Sequence, residues 1–519
     1  MGKTLIRGGV AVTASDQFLA DVLVEDGRIT CLAEAGRLSA RGVQVLDASG
    51  CYVTPGGIDV HTHLNHRVSP ETTTADDFLS GSRAAAAGGT TTIIDFAPAH
   101  ERSSLLEALH ERLADAQRDC VVDFSFHAAI TAAGLTHGPD DMRAVLSAGV
   151  STFKVYMAYP NRMMSDDSTL LEVLSTAADL RCLVLVHAEN GHMVQHITQK
   201  LIAKGKTAEH MHVQAHPDAA EAEAVNRIIE LAGLVDCDLY IVHVSSSRAA
   251  AVLGAAKQRG ARVWGETCPQ YLCAAYEDYR HLGFEAVKYV CSPPIRELRN
   301  QELLWKAIEN GSLSTIATDH APFLLREEES GRTPTQKGRG KGYFPQIPNG
   351  VPGIEERLKL LLQFGVSTGR ITLPKFVDLT ASRPAQLMGL NRTKGTLTVG
   401  ADADVVVWDP DASHQLRAVD HSSNVDYSLY EGIAVSWKPR FVLSRGDVIV
   451  EDNEICAAPG RGRFLRRSPI GVPLAQTTQS RVRKTSHVSG NTAGVGIHAS
   501  WHASAASSGD ASQPRSHAQ

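Results

Sequence analysis

Two histidines separated by one residue, His61 and His63, follow the apolar run GGIDV. Side chains at positions i and i+2 of a strand point to the same face, so both imidazoles are expected on one side of a strand end. That geometry suits two ligands of one metal ion. Two ordinary polar residues at a strand end fit so short a pattern equally well, so the pair alone does not settle its own role.

Other metal-competent side chains end apolar runs further along the chain. His187 closes LVLVH, His243 closes LYIVH, and Asp319 closes STIATD. If these runs are parallel strands of a barrel, their carboxyl ends meet at one rim, where the connecting loops form the site. Four imidazoles and a carboxylate at one rim predict a site for zinc or a similar divalent ion.

A lysine, Lys154, lies inside a further apolar run, TFKVYMAY. A lysine is rarely buried completely without a partner, and one interpretation is a snorkelling side chain paired with Asp319 or another acid. The second interpretation is chemical, because a desolvated lysine loses its proton more readily and the neutral amine can react with carbon dioxide. The resulting carbamate is an anionic, bidentate group that could bridge two metal ions.

The elements that must position these residues alternate between residues 56 and 390. Eight short apolar runs are separated by stretches with helical spacing, such as residues 77–87 and 219–234. Alternating strands and helices imply parallel strands covered on both faces, and eight units predict an α/β fold, a (β/α)8 barrel, with a doubly wound open sheet as the alternative. The runs are GGIDVHTH, GTTTIIDFA, VVDFSFHAAI, TFKVYMAY, CLVLVHAEN, DLYIVHVSS, ARVWGETCP and LSTIATDHAPF.

The two ends of the chain have a different pattern. Short strands with hairpin signals at Asp26-Gly27 and Gly446-Asp447 predict that residues 1–55 and 391–470 together form one small β-sandwich. From residue 471 to 519 the sequence is rich in Ser, Ala, Gly, Gln and His, which predicts a disordered tail.

Composition excludes several classes of function. The chain has 519 residues, 43% of them hydrophobic and 21% charged, and its formal net charge of -6 gives no basic footprint for nucleic acid or anionic membranes. No run approaches the roughly 18 to 20 apolar residues of a membrane span. Nine cysteines without a CxxC pair predict reduced packing residues in a cytoplasmic protein. A small molecule is therefore the expected partner.

Nine motifs occur in the order seen in one family of enzymes. The chain up to about residue 470 resembles the dihydropyrimidinases, a group that includes the D-hydantoinases, in the amidohydrolase superfamily. The resemblance implies hydrolysis of a cyclic amide, two divalent metal ions, most often zinc, and assembly as a homotetramer. The motifs are GGIDVHTH, FKVYMAY, VHAEN, YIVHVSS, GETCPQYL, SPPIR, ATDHAPF, IPNG and KGTLTVGADADVVVWDP.

The resemblance also implies roles for individual residues. Asp319 is the proton acceptor and donor, and Tyr159 is the donor to the developing oxyanion. One metal ion is held by His61, His63, carbamylated Lys154 and Asp319, and the other by His187, His243 and the same carbamate.

Four further residues match positions that surround the substrate in this family. Backbone groups of Ser292 and Asn349 are expected to grip the amide of the ring, and Tyr156 and Met163 to line the pocket for its substituent. Turn formation by the first pair and core packing by the second are the structural alternatives.

Departures from the family pattern concern the choice of substrate. The loop 64–74 carries Asn65, His66 and Arg67 where the family usually has apolar residues and glycine. Dihydroorotases have an arginine at the position of Asn65, which argues against dihydroorotate. An allantoinase-like ureide hydrolase remains an alternative, as does a non-catalytic relative of the dihydropyrimidinases, although such relatives lack the metal ligands that this chain retains.

Overall fold

The computed structural model describes residues 2–69, 72–99, 103–131, 138–325 and 336–470. Within these ranges the strands form one sheet of eight, one of nine and two small sheets of two. The predicted disordered tail, residues 471–519, lies outside the described residues. No helix in the described part of the chain has the length and apolar character to cross a membrane.

Strands and helices alternate through the middle of the chain. In chain order the strands are β1 (Lys3–Val12), β2 (Gln17–Glu25), β3 (Arg28–Glu34), β4 (Gln44–Asp47), β5 (Tyr52–Pro55), β6 (Gly57–Thr62), β7 (Arg67–Ser69), β8 (Thr72–Thr73), β9 (Thr90–Pro98), β10 (Asp123–Ala129), β11 (Thr152–Tyr156), β12 (Leu183–His187), β13 (Asp238–Ile241), β14 (Val263–Thr267), β15 (Thr315–Ile316), β16 (Val405–Asp409), β17 (His414–Gln415), β18 (Ala434–Val435), β19 (Lys438–Ser444), β20 (Asp447–Glu451) and β21 (Glu454–Ile455).

The longer helices alternate with the strands of the eight-stranded sheet and pack on its outside. They are α1 (Phe78–Ala87), α2 (Leu105–Asp119), α3 (Pro139–Ser147), α4 (Asp167–Leu180), α5 (Gly191–Ala203), α6 (His212–Ala215), α7 (Asp218–Leu234), α8 (Ser247–Gln258), α9 (Pro269–Cys273), α10 (Tyr276–Tyr279), α11 (Arg299–Glu309), α12 (Arg357–Leu361), α13 (Leu373–Val377) and α14 (Arg383–Leu387). The two helical segments singled out in the sequence are α1, which begins with an Asp77–Ser80 capping box, and α7.

The eight-stranded sheet is a parallel barrel whose strands are neighbours in chain order, from β6 and β9 through β15. A parallel bridge between Thr62 and His320 brings the chain after β15 back to β6. The hydroxyl of Thr318 donates across this seam to the Asp59 carboxylate at 2.7 Å. The eight predicted strands and the barrel are therefore confirmed, and the doubly wound alternative is wrong because the strand order never reverses.

Side chains on the barrel strands alternate between two cores. On β11, Phe153 and Val155 join the core shared with the helices, whereas Tyr156 joins the core inside the barrel. Lys154 is two residues from Tyr156 and therefore points to the interior, where it is 1% exposed.

Both ends of the chain contribute to the nine-stranded sheet. Strand β5 from the N-terminal part pairs with β16 from the C-terminal part, and the sheet encloses a core of its own. The β2–β3 hairpin turns at Asp26 and Gly27, both with positive φ, as the sequence predicts. In the β19–β20 hairpin the turn residues are Arg445 and Gly446, one residue earlier than predicted, because Asp447 already pairs with Ser444. The domain boundaries at residues 55, 390 and 470 stay predictions.

Near the end of the described chain, residues 461–467 lie against the amino-terminal end of the barrel. Leu465 donates its backbone N–H to Phe124 at 2.7 Å, and Arg467 is buried with its guanidinium on Ser125, Thr152 and the carbonyl of Phe126. This segment therefore covers the end of the barrel opposite the loops that follow the strands.

The nine cysteines carry free thiols, and six of them are buried, which agrees with their predicted packing role.

Candidate active site

The predicted metal ligands meet at the carboxyl ends of the barrel strands. His61 lies at the end of β6 with His63 just beyond it, and His187 is the last residue of β12. His243 and Asp319 follow β13 and β15 by two and three residues. Parallel strands bring these distant positions to one rim, as the barrel predicts.

The first three ligands form a compact group. The Nε2 atoms of His61 and His63 are each 3.1 Å from Oδ1 of Asp319. The possible ligand atoms of the three residues lie within 4.8 Å of one another, a spacing that a single ion could bridge. His63 is held in place from behind by Phe96, whose ring stacks on it at 4.8 Å between centroids.

The remaining two histidines adjoin this group. The ring centroids of His187 and His243 are 4.6 Å apart, and His243 is 5.4 Å from His61. The Nε2 atom of His187 is 2.9 Å from the Glu189 carboxylate, which leaves Nδ1 as its ligand atom. Four imidazoles and a carboxylate thus share one small volume.

Lys154 occupies the same interior without an acidic partner. None of the described carboxylates forms an ion pair with its ammonium, which lies 5.4 Å from the ring centroids of both Phe96 and Tyr156. Burial lowers the pKa of Lys154 from 10.5 to about 7, despite the opposing fields of Asp319 and Glu266. The snorkelling, Asp319-paired interpretation is therefore wrong, because the side chain is enclosed and forms no ion pair.

The charge states of the ligands fit a divalent cation. Burial lowers the pKa of His63, His187 and His243, so these imidazoles are neutral at neutral pH, the form that binds a metal. Burial alone would raise the pKa of Asp319. The charges and hydrogen bonds of His61 and His63 outweigh burial and hold this pKa well below the usual value. Neutral imidazoles and an ionised carboxylate are the donor set of zinc sites.

His61 is the exception among the imidazoles. Burial opposes its positive charge, but the fields of Glu266 and Asp319 outweigh burial and raise its pKa to about 9. A cation is therefore favoured at this point of the rim, and a metal ion would replace the proton there.

Three residues of the site have a left-handed backbone, which side chains other than glycine rarely adopt. The φ angles are +65° at Tyr159, +42° at His243 and +53° at Asp319. Each such conformation costs roughly 1 kcal/mol and persists only where the surroundings enforce it. Three of the eleven non-glycine residues with positive φ in the described chain therefore lie in the site.

The wall facing the ligands contains Tyr159, Ser292 and Asn349. The amide of Asn349 donates to Oγ of Ser292 at 2.9 Å, and Oδ1 of Asn349 is buried with no partner among the described residues. Burial raises the pKa of Tyr159, so its phenol stays protonated and can donate a hydrogen bond. Both Ser292 and Asn349 also line the cavity, which a role in turn formation alone does not explain.

A buried lysine supports this wall from behind. Lys337 is fully buried, and its ammonium donates to the carbonyls of Val290 and Pro348 at 2.9 Å each. These carbonyls lie two residues before Ser292 and one before Asn349. Lys337 therefore ties together the two loops that carry the wall, a role that the sequence did not suggest.

The ligands and the wall enclose a cavity of about 690 Å³. Tyr156 and Met163 both line it, Tyr156 being buried and Met163 partly buried. His66 and Arg67, which depart from the family pattern, line its outer part. The space exceeds that needed for a single small ring and leaves room for a substituent.

Two buried carboxylates that touch the ligands were missed from the sequence. Glu189 bonds His187 through one oxygen and His216 through the other, both at 2.9 Å, and Glu266 is 2.7 Å from His61. Both belong to motifs that were recognised, VHAEN and GETCPQYL, but neither position showed which histidine it would face.

Comparison with known proteins places these features in a family. A model of the Amidohydrolase family matches residues 52–449. A D-hydantoinase of Geobacillus stearothermophilus is 41% identical over 471 residues, which cover 91% of this chain and 98% of that protein. The likeness thus includes every strand of the barrel and every residue of the site.

Solved structures of related enzymes show the same similarity. A dihydropyrimidinase of Brevibacillus agri NCHU1002 superimposes with a TM-score of 0.86 at 40% identity, covering 91% of this chain and 100% of the other. An L-hydantoinase (dihydropyrimidinase) of Arthrobacter aurescens gives 0.80 at 28% identity, covering 90% and 100%. Proteins named for opposite enantiomers therefore share this fold.

Proposed function

This chain belongs to the amidohydrolase family, and from that membership we propose that it hydrolyses the cyclic amide of dihydropyrimidines or 5-substituted hydantoins to N-carbamoyl amino acids. The names of its relatives, D-hydantoinase and dihydropyrimidinase, describe this reaction. The observation that carries the proposal is the meeting of four histidines, Lys154 and Asp319 at one rim of the barrel, opposite Tyr159 and Asn349.

The donor set fits two divalent cations, for which we propose zinc. We assign His61, His63, Asp319 and the carbamate of Lys154 to one ion, and His187, His243 and the same carbamate to the other. The nearly neutral pKa of Lys154 and its lack of an ion pair support the carbamate, because only the uncharged amine reacts with carbon dioxide. When bound, the two cations supply an activated water and polarise the amide carbonyl.

The side chains of the chain itself perform the remaining steps. Asp319, ionised and 3.1 Å from two imidazoles, accepts the proton of the attacking water and returns it to the leaving nitrogen. Tyr159 donates a hydrogen bond to the carbonyl oxygen as negative charge develops on it. Backbone groups of Ser292 and Asn349, which both line the cavity, hold the amide of the ring and so fix the carbonyl that faces Asp319.

The size of the cavity leaves room for a substituent on the ring. At about 690 Å³ it holds a hydantoin ring together with an aryl or alkyl group at C5. We propose that Tyr156 and Met163 contact this substituent and bias the site towards one enantiomer.

Ring-opening rates with a panel of substrates test the proposal. Hydantoins with aryl and alkyl groups, dihydrouracil, allantoin and dihydroorotate are compared at equal concentration, with the N-carbamoyl product measured. Hydantoins or dihydrouracil are expected to react fastest. A higher kcat/KM for allantoin would instead identify an allantoinase-like ureide hydrolase.

Metal analysis separates the enzyme from a non-catalytic relative. About two divalent ions per chain are expected in protein purified without chelator, and none would favour a binding protein. The homotetrameric assembly and the cytoplasmic location stay predictions, which sedimentation and cell fractionation would check.

A further inference from the structure

The motif GETCPQYL has no part in the mechanism above, yet its glutamate contacts two of the assigned metal ligands from behind. Glu266, on β14, is fully buried inside the barrel. Its Oε1 atom is 2.7 Å from Nδ1 of His61 and also accepts the backbone N–H of His243 at 3.1 Å. One oxygen of one carboxylate therefore contacts two assigned metal ligands that are 182 residues apart in the sequence, at positions 61 and 243.

The two contacts act on different parts of the ligands. At His61 the carboxylate binds Nδ1, which leaves Nε2, 3.1 Å from Oδ1 of Asp319, as the nitrogen that would bind an ion. At His243 it binds the backbone, at the residue whose φ of +42° is strained. The bond thus helps to hold a conformation that the chain would otherwise avoid.

The carboxylate is itself fixed on its other side. The Tyr240 hydroxyl donates to Oε2 of Glu266 at 2.9 Å and is 2.6 Å from the hydroxyl of Thr315 on β15. All of these groups are buried, and a buried carboxylate with three hydrogen bonds has little freedom to rotate. The position of Oε1 is therefore set by strands β13, β14 and β15 together.

Glu189 provides a comparison. It also bonds an imidazole of the site, but its second oxygen bonds His216, which is not an assigned ligand. Among the described residues outside the ligand set, Glu266 is the only carboxylate that forms hydrogen bonds to a ligand assigned to each of the two ions.

We propose that Glu266 is a positioning residue that couples the two metal positions, so that the affinities for both ions depend on this one carboxylate. The inference rests on the proposed function, since that function supplies the assignment of His61 to one ion and His243 to the other. Loss of a carboxylate behind a ligating histidine typically weakens metal binding 10- to 100-fold. Here the effect is expected at both ions together.

The test is a zinc titration without substrate. Metal-free protein, kept in bicarbonate to maintain the carbamate, is titrated with Zn²⁺ in competition with a chromophoric chelator, which gives two dissociation constants. Glu266→Gln retains the size and an acceptor oxygen but removes the charge, and both constants are expected to rise about 10-fold. Glu266→Ala also removes the hydrogen bonds, and both are expected to rise about 100-fold.

Glu356→Gln is the matched control. Glu356 is equally buried, but its hydrogen bond goes to Ser428 and not to a ligand, so both zinc constants are expected to stay at the wild-type values. Circular dichroism of the metal-free proteins checks folding. If Glu266→Ala does not fold, the zinc constants of Glu266→Gln still test the coupling.

Each outcome bears on a different statement. Weakening of both ions in the Glu266 variants but not in Glu356→Gln supports the coupling. Weakening of one ion only, or of neither, overturns the coupling while leaving the proposed function intact. A wild-type chain that binds fewer than two ions would overturn the proposed function, and the coupling with it.

Discussion

The pKa of Lys154 gives a quantitative prediction for activation by carbon dioxide. Only the uncharged amine forms a carbamate, so the activation rate follows the fraction of Lys154 that is deprotonated. With a pKa of about 7, that fraction is about 10% at pH 6, about 50% at pH 7 and about 90% at pH 8. The rate is therefore expected to rise about ninefold from pH 6 to pH 8 and to change little above pH 8.

The assay begins with protein freed of metal and carbamate by chelator at low pH. The protein is exposed to ¹³CO₂ at a constant dissolved concentration and saturating Zn²⁺ across the pH range. Two signals are followed, the ¹³C resonance of the carbamate and the return of ring-opening activity. Holding dissolved carbon dioxide constant separates the titration of the lysine from that of bicarbonate.

The shape of the plot of activation rate against pH tests the pKa of Lys154. A lysine with the usual pKa of 10.5 would give a rate that rises tenfold per pH unit without a plateau up to pH 9, which would refute the argument from burial. Lys154→Ala is the control and is expected to lack both the carbamate resonance that appears together with activity in the wild-type chain and the activity itself. Recovery of its activity by added short carboxylic acids would support the bridging role, and full activity without them would contradict it.

Three further results are expected. Tyr159→Phe is expected to keep about two ions per chain, while kcat falls about 10²- to 10³-fold because a single donor to the developing charge is removed. Loss of metal on elemental analysis would contradict this role. Lys337→Met is expected to raise KM for a hydantoin about 10-fold with both ions retained, because the carbonyls of Val290 and Pro348 lose their common hydrogen-bond donor. An unchanged KM would show that the two loops hold their positions without it. Chelator is expected to lower Tm by several °C, and added Zn²⁺ is expected to restore the original Tm, because ions that bind only the folded chain stabilise the fold. An unchanged Tm in calorimetry would contradict tight binding.

The parts of the site that could be predicted are those that depend on strand geometry. His61 and His63 were identified by their spacing, and His187 by its place at the end of an apolar run. These positions follow from the side-chain period of a strand and from the rule that parallel strands end at one rim. The barrel itself followed from the count of alternating units.

The parts that were missed depend on contacts across the barrel. Glu266 faces His61 only because β14 and β6 approach each other when the sheet closes, and no local pattern fixes which side chains then meet. Lys337 bonds carbonyls of two distant loops, and a backbone carbonyl has no signature in the sequence. The left-handed backbones of Tyr159, His243 and Asp319 were equally hidden, since few residues other than glycine adopt that conformation and residue type alone does not show which of them do.

The pairing of β5 with β16 has a consequence for synthesis on the ribosome. Strand β5 ends at residue 55 and β16 begins at residue 405, so about 350 residues separate the two partners. At a translation rate of about 5 to 20 residues per second, one edge of β5 stays unpaired for about 20 to 70 s. During that interval the nascent half-sheet is a template for wrong pairing, and a chaperone that shields it until translation ends is expected to improve the yield of folded protein.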